Sequence, residues 1–410
     1  MPRRRPAVAA SAAFLLTPLL VAPVASPAGA APAAAPLASS VAVDWQRTAA
    51  RTVYTEGGSA PPVGGLYLAF TSLAVHKAAT KGQRHGTHAT AAAVATAAHD
   101  VLVQYFPGSA TRLAADLAAS LAMVPDGKKE AAGARIGAAA AKRMIASRVN
   151  DGRNNASIVY SKPQAPGIWQ PPTSGMALPW LGFVKPVVNV PPVALDGPDP
   201  LTSEAYSDDY DEVRRVGAVD SPATERNDEQ TAIARFFSAN PVLTYRMALC
   251  ELLDQEPMGL LATTRMFARI DAAAANSFIQ TWRLKYDVGF WRPFQAIAGA
   301  ATDGNGATSP QTGWVPLVAN PAYSDYTSGH AAATSPFAEV VRQTLGDDTR
   351  LVLKATVQDI ALERTYDTLT ALEHDAFNAR IWGGLHFRDA MDDGYYLGHT
   401  TAQRVLRVVR

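Results

Sequence analysis

Cysteine is almost absent from this sequence, and charge of either sign is sparse. The 410 residues include one cysteine, Cys250, which excludes an intramolecular disulfide framework, a Cys-rich zinc site and a Cys-x-x-Cys redox centre. The 37 Lys and Arg residues are balanced by 36 Asp and Glu residues, and this net charge of +1 excludes a protein that selects its partner by bulk charge, such as a general nucleic-acid binder. The hydrophobic fraction of 48% still predicts an ordinary packed globule.

Long apolar runs are also missing after the first thirty residues. Three arginines at 3–5 precede an apolar run over 7–25, and small residues follow at 28–30. This pattern predicts a secretory signal peptide at residues 1–30, while two prolines inside the run disfavour a membrane anchor. We therefore expect a secreted protein with no stable membrane insertion. Its oligomeric state cannot be read from the sequence.

The rest of the chain is predicted to be all-α, in helical bundles (two is the expected number) with long loops. Apolar residues recur at helical spacing in an N-terminal region, 31–162, and again in a C-terminal region, 201–410. Between them, 163–200 is a proline-rich connector that we expect to be extended and ordered, with a disordered linker as the alternative. The helices are predicted near 44–55, 62–80, 89–106, 110–122, 128–148, 208 onward, 228–238, 241–254, 257–286, 330–345, 350–363, 368–381 and 387–408.

Several catalytic motifs are absent. None of the eight histidines forms HExxH, and the chain has neither a Gly-rich phosphate loop nor a GxSxG elbow. Zincin and α/β-hydrolase chemistry are therefore excluded. What remains are three short clusters in the C-terminal region.

The first two clusters surround a long loop. Lys285 ends a predicted helix and Arg292 precedes a proline, so both cations can converge at one helix exit; the alternative is a solvated positive helix end. Ser328, Gly329 and His330 then open an Ala-rich helix, where a serine cap and free backbone N–H groups attract anions. The alternative is an ordinary cap with a surface histidine.

The third cluster is Arg380-Ile-Trp-Gly-Gly-Leu-His386, in which a glycine pair can place Arg380 and His386 at one corner between helices. Considered alone, His386 would more often be a hydrogen-bonded core or capping histidine. Together the three clusters would make a compact positive pocket suited to a tetrahedral oxyanion such as phosphate or vanadate. Zinc is disfavoured because guanidinium groups stand where carboxylates would be needed.

The order Lys-x6-Arg-Pro, Ser-Gly-His and Arg-x5-His resembles the signature of the superfamily that unites vanadium-dependent haloperoxidases with type 2 phosphatidic acid phosphatases and bacterial acid phosphatases. The sequence around Val43, Lys285 and Arg380 is similar to secreted bacterial haloperoxidase-like proteins. Three positions depart from the pattern: Thr327 stands where proline is usual, Ala379 replaces a serine, and Ala390 replaces an aspartate.

The resemblance implies a site for vanadate, with hydrogen peroxide, a halide and an organic acceptor as the reacting partners. It implies that His386 binds vanadium and that His330 is the acid-base residue that takes a proton from peroxide. Lys285 would polarise the bound peroxide. The oxyanion would be held by Lys285, Arg292, Ser328, Gly329 and Arg380, and the halide side would be lined by Trp282 and Tyr323.

Two other functions remain open at this point. The same pocket in a soluble acid phosphatase would use His386 as the nucleophile and His330 to protonate the leaving oxygen of a phosphomonoester. A catalytically inactive helical protein that only binds an oxyanion is the second alternative. An unassigned carboxylate is expected to orient Arg380 or His330 from behind.

Overall fold

Helices follow the predicted boundaries closely over most of the chain. The computed structural model describes residues 37–410, so the predicted signal peptide lies outside the described residues. The N-terminal helices are α1 (Leu37–Ala50), which continues as a π-helical turn (Arg51–Glu56), α2 (Pro61–Gly82), α3 (Thr87–Tyr105), α4 (Ala110–Ala122) and α5 (Lys128–Ser147).

The remaining helices begin after the proline-rich connector. Their starts are fixed by local caps: the side chain of Ser203 accepts a hydrogen bond from Tyr206 N, and Asn227 and Gln230 form a capping box. They are α6 (Glu204–Val216), α7 (Asp228–Phe236), α8 (Pro241–Gln255), α9 (Leu260–Asp287), α10 (Pro293–Gly299), α11 (Ala331–Leu345), α12 (Leu369–Trp382) and α13 (Arg388–Val408).

The connector is extended and ordered, as expected, with one 3₁₀ turn at Pro179–Phe183. Helix α9 holds it through two amide side chains one turn apart: Asn276 Oδ1 accepts from Val187 N at 2.9 Å, and Gln280 Oε1 accepts from Val193 N at 2.9 Å. Trp169 is buried to 1% exposure. Apolar anchors and amide side chains thus replace the hydrogen bonds that a helix or sheet would supply.

The predicted helix over 350–363 is wrong. The segment forms an antiparallel hairpin of β1 (Leu351–Val357) and β2 (Ile360–Tyr366). Its two-residue turn places Gln358 at φ 50° and Asp359 at φ 65°, the backbone that a tight hairpin turn requires. Burial of β1 begins by alternating, with Leu351 and Leu353 inside, so a period of two prevails over the helical period assumed from composition.

Helix α9 is the centre of the C-terminal part. It packs against α2, α11 and α13, and its last turn brings Lys285 into the interior with no exposed surface. Among the described residues, no helix has the length and apolarity needed to cross a membrane.

Candidate functional site

Five separate segments of the C-terminal part bring together a cluster of buried, charged side chains. Helix α9 brings Lys285, the start of α10 brings Arg292, and α12 brings Arg380. The loop before α11 brings residues 323–330, and the link between α12 and α13 brings His386. Each of the three cations is 4% exposed or less, so the fold removes them from water.

Lys285 is fixed by backbone oxygen atoms. Its Nζ donates to the carbonyls of Ser324 at 2.9 Å and Asp325 at 2.8 Å, which leaves one of three N–H groups free. Burial, followed by the charge of Arg292, lowers the pKa of Lys285 well below its ordinary value. An anion bound beside it would favour the charged form.

Arg292 is held in the same way. Its Nε donates to Tyr323 O at 2.9 Å and its Nη1 donates to Leu385 O at 2.7 Å. Nη1 also lies 3.2 Å from His386 Nε2. Its Nη2 is buried and has no hydrogen-bond partner among the described residues. One edge of the guanidinium is therefore free to receive an oxyanion.

His386 stands between Arg292 and a carboxylate. Its Nδ1 lies 2.7 Å from Asp325 Oδ1, and Asp325 has no exposed surface. Burial raises the pKa of Asp325 to about 7, although the charges of Arg292 and Lys285 oppose the shift. Burial and those same cations lower the pKa of His386, which favours a neutral imidazole. The Nδ1 and Oδ1 atoms are close but lack the geometry of a hydrogen bond, so Asp325 is a charged neighbour of the ring, while Nε2 faces Arg292.

Arg380 and His330 close the opposite side and share a neighbouring loop. Arg380 Nη1 donates to Phe237 O at 3.0 Å, and a ring nitrogen of His330 hydrogen-bonds to the backbone carbonyl of Ala239. Burial lowers the pKa of Arg380 to about 10, and burial and Arg380 lower the pKa of His330 well below its usual range. Arg380 Nε and His330 Nε2 are buried without a hydrogen-bond partner among the described residues.

The turn before α11 is tied to the helices around it. Ser328 Oγ accepts from Ala331 N at 3.3 Å, and Ser328 N donates to Ala390 O at 2.9 Å. A Cβ atom on Gly329 would lie 3.3 Å from the Trp282 ring, so glycine permits the close approach of backbone and indole. Thr327 bonds with Thr281 of α9 at 3.2 Å, an anchor that the usual proline could not provide.

Trp282 and Tyr323 pack against each other beside two of the cations. Their ring centroids are 5.1 Å apart, and the Tyr323 ring lies 5.0 Å from Lys285 Nζ and 5.1 Å from the Arg292 guanidinium. Two cations therefore rest against one aromatic ring. Contacts link Trp282, Lys285, Arg292, Tyr323 and His386, and Gly329 lies against Trp282. His330 lies near enough to Arg380, Arg292 and Lys285 for their charges to lower its pKa, and Ser328 precedes Gly329 in the same turn. The roles of these residues stay predictions.

Asp325 was missed from the sequence. The expected supporting carboxylate was placed behind Arg380 or His330, whereas Asp325 contacts His386 and lies 3.9 Å from Arg292 Nη1. A signal was available, since Asp325 is the only acidic residue between Asp303 and Glu339. The carbonyl oxygens that anchor the cations carry no sequence signal at all.

The donor set fits an oxyanion better than a metal cation. Arg292 Nη2, Arg380 Nε and His330 Nε2 are buried nitrogens that lack a partner, and burying such groups unpaired is unfavourable. Within residues 37–410, no group of three or more His, Cys, Asp or Glu side chains is placed to hold a metal ion. A tetrahedral oxyanion would meet several of these nitrogens at once.

Comparisons with known proteins find a family model that matches part of the chain and solved structures with a similar fold. Residues 265–410 match the family model described as the VCPO second helical-bundle domain. A bacterial vanadium-dependent iodoperoxidase structure is similar at 20% identity and a TM-score of 0.69, over 91% of this chain and 96% of that chain.

Two further solved structures are similar. An apo-type bacterial vanadium-dependent chloroperoxidase shares 18% identity at a TM-score of 0.68, over 85% of this chain and 95% of that chain. A holo-type one shares 18% identity at a TM-score of 0.67, over 86% and 93%. No curated protein matches at a significant level.

Proposed function

We propose, from the premise that residues 265–410 are a helical-bundle domain of the vanadium-dependent haloperoxidase superfamily, that this protein binds vanadate and oxidises a halide with hydrogen peroxide. The overall reaction is halide plus hydrogen peroxide plus one proton, giving hypohalous acid and water. The iodoperoxidase and chloroperoxidase structures share the fold at 18–20% identity, so we assign no preferred halide.

The observation that carries the proposal is the set of buried nitrogens without partners. Lys285 and Arg292 lie near the carboxylate of Asp325, and Arg380 is a third buried cation near Arg292. Such an excess of buried cation is unfavourable unless an anion balances it. The free Arg292 Nη2 and Arg380 Nε supply donors for the anion's oxygen atoms.

The residues around the anion divide the work. When bound, vanadate would supply a Lewis-acid centre that activates hydrogen peroxide without changing oxidation state. His386 would bind it through Nε2, with the carboxylate of Asp325 as a charged neighbour of the other ring nitrogen. His330 is favoured as neutral, and its Nε2 has no partner, so it can take a proton from incoming peroxide. Ser328 and Gly329 would complete the set of groups around the anion at the start of α11. This set is called the cage below and consists of Lys285, Arg292, Ser328, Gly329, His330, Arg380 and His386.

Titration with orthovanadate tests the proposal directly. We expect the purified protein to bind vanadate and then to form triiodide from iodide and peroxide. His386→Ala should abolish both, since it removes the imidazole proposed to bind vanadate. His374→Ala, on the exposed face of α12, is the matched control and should behave as the parent.

Two outcomes would count against the proposal. If the parent forms no triiodide with vanadate but hydrolyses an aryl phosphate with competitive inhibition by vanadate, the site is that of an acid phosphatase. If it binds vanadate and does neither, the protein is an inactive oxyanion binder.

Export is part of the same proposal. The pattern of residues 1–30 would direct the chain out of the cell and be removed there. N-terminal sequencing of the protein from a culture of its producing cells should find a start near residue 31. An intact N-terminus inside the cells would contradict export.

A further inference from the structure

A large groove lies beside the cage and has no role in the chemistry described above. Its cavity volume is about 820 Å³, within the range of about 300–1,000 Å³ typical of sites for small organic molecules. Three elements form its walls: the end of α1 with its π-helical turn, the first three turns of α8, and the β1–β2 hairpin.

One residue that lines the groove is in contact with His330, the predicted acid-base histidine. Ala239 lines the groove, and its carbonyl accepts the hydrogen bond from His330. Phe237, two residues earlier, holds Arg380 through its own carbonyl. The short segment between α7 and α8 therefore has the cage on one side and the groove on the other.

The lining is apolar in its middle. Leu243 and Met247 project from α8, and Ala355 and Leu362 face them from the hairpin. All four residues are half buried, and three of them have large side chains. The groove therefore leaves apolar surface in contact with water. An apolar ligand that covers this surface would be favoured by the hydrophobic effect.

The cations that line the groove are already paired. Arg51 lies 2.8 Å from Glu56 and 2.6 Å from Asp116, Lys354 lies 2.8 Å from Glu251, and Arg47 pairs with Asp254. No lining cation is left to attract an anionic ligand. This contrasts with the cage, where Arg292 Nη2 and Arg380 Nε lack partners, and it disfavours an anionic ligand.

We propose that this groove binds the organic acceptor, a neutral and mostly apolar electron-rich aromatic molecule. The inference rests on the proposed function, which supplies the oxidant. Hypohalous acid formed in the cage would transfer its halogen to an aromatic carbon, breaking the O–halogen and C–H bonds, forming the C–halogen bond and releasing water. Binding next to the segment that contacts His330 would hold the acceptor close to the site where the oxidant forms, which would raise its effective concentration there.

The probe for the test is N-phenyl-1-naphthylamine, a neutral apolar dye whose fluorescence rises on binding. We expect saturable binding to the full chain without vanadate or peroxide. Met247→Trp and Leu362→Trp fill the groove from opposite walls, and each should weaken binding at least about tenfold, or about 1.4 kcal/mol. Val149→Trp, at a 66% exposed site away from the groove, should bind as the parent.

The kinetic arm uses 2-naphthol as acceptor. We expect its KM to rise in both wall variants while triiodide formation and orthovanadate affinity stay within about twofold of the parent, a change of about 0.4 kcal/mol. Circular dichroism of each variant confirms that it is folded.

Failure of this inference is distinguishable from failure of the proposed function. Dye binding that is not saturable, or that either wall variant leaves unchanged, overturns the groove as a binding site. An unchanged KM for 2-naphthol in both wall variants overturns its role as the acceptor site. If dye binds but the parent never oxidises iodide, the groove stands as an apolar site and the proposed function falls.

Discussion

Two clusters of opposite charge are linked by the consecutive residues Asp325 and Tyr326. The cage holds Lys285, Arg292 and Arg380, whereas a second cluster holds Asp199, Asp209, Asp389 and Asp393. Consecutive residues reach both of them: Asp325 contacts His386 in the cage, and Tyr326 donates its hydroxyl to Asp393 in the acidic cluster. A net charge of +1 therefore conceals two strong local fields of opposite sign.

The two clusters tolerate their charges differently. Burial raises the pKa of Asp389 to about 8 and that of Asp209 to about 6, so these acids can relieve repulsion by taking up protons. Arginine cannot do the reverse near neutral pH, since burial lowers the pKa of Arg380 only to about 10. The acidic cluster can lower its own charge by binding protons, whereas the arginines of the cage stay charged and need a bound anion to balance them.

The largest expected effect comes from removing a cation from the cage. Arg292→Met should reduce orthovanadate affinity by about 100-fold or more, because a hydrogen bond to a charged group contributes about 1.5–3 kcal/mol and Arg292 also borders His386. Isothermal titration calorimetry measures the change. The control is Arg215→Met, which removes an arginine with partners on an exposed surface. Affinity within about threefold of the parent would show that the cage does not hold the anion.

Substitutions of the two residues that link the clusters should separate the contributions of the clusters to vanadate affinity. Asp325→Asn keeps the size of the side chain but removes the charge 2.7 Å from His386, and vanadate affinity should fall about 10- to 100-fold. The neighbouring Tyr326→Phe removes a contact on the acidic side and should leave that affinity unchanged. Vanadium NMR of the bound anion should shift in the first variant only. Equal losses in both variants, matched by equal losses of Tm, would mean that Asp325 only supports the loop.

The effect expected in the acidic cluster is on stability and depends on pH. The pKa of Asp389 is about 8 in the folded chain against an ordinary value of 3.8, so the folded state keeps a proton that the unfolded state has released. The free energy of unfolding should therefore fall as pH rises from about 4 to 8. Asp389→Asn removes this loss, and urea unfolding should find it more stable than the parent at about pH 9 and little changed at about pH 4. Asp220→Asn, on an exposed turn, is the control; a gain that is the same at both pH values would refute the assignment.

Most of the fold was predictable because helical spacing is a repeated signal. Helix α4, observed at Ala110–Ala122, was predicted to the residue, and several other helices to within one or two residues. The hairpin was not predicted because its strands are short and half exposed, so few of their alternating positions are buried. Its turn also gives no glycine signal, since it uses Gln358 and Asp359. The ordered connector could be expected because Trp169 gave it something to bury.

The site was predictable to the extent that its chemistry resides in side chains. Lys285, Arg292, Arg380 and His386 stand out at fixed spacings, whereas Asp325 does not belong to a spaced motif. The expected aspartate position is Ala390, which the structure uses differently: it is buried to 1% exposure and its carbonyl accepts from Ser328 N. The carboxylate beside His386 comes instead from a different loop, and only the fold brings it there.

The backbone oxygens that hold the cage have an evolutionary consequence. The carbonyls of Phe237, Ser324 and Leu385 accept the hydrogen bonds of three different cations, and every amino acid type carries the same oxygen atom. The side chains at these positions can change without loss of the hydrogen bonds, provided that the backbone of each loop keeps its conformation. Distant relatives could therefore share cage geometry while their loop sequences diverge beyond alignment.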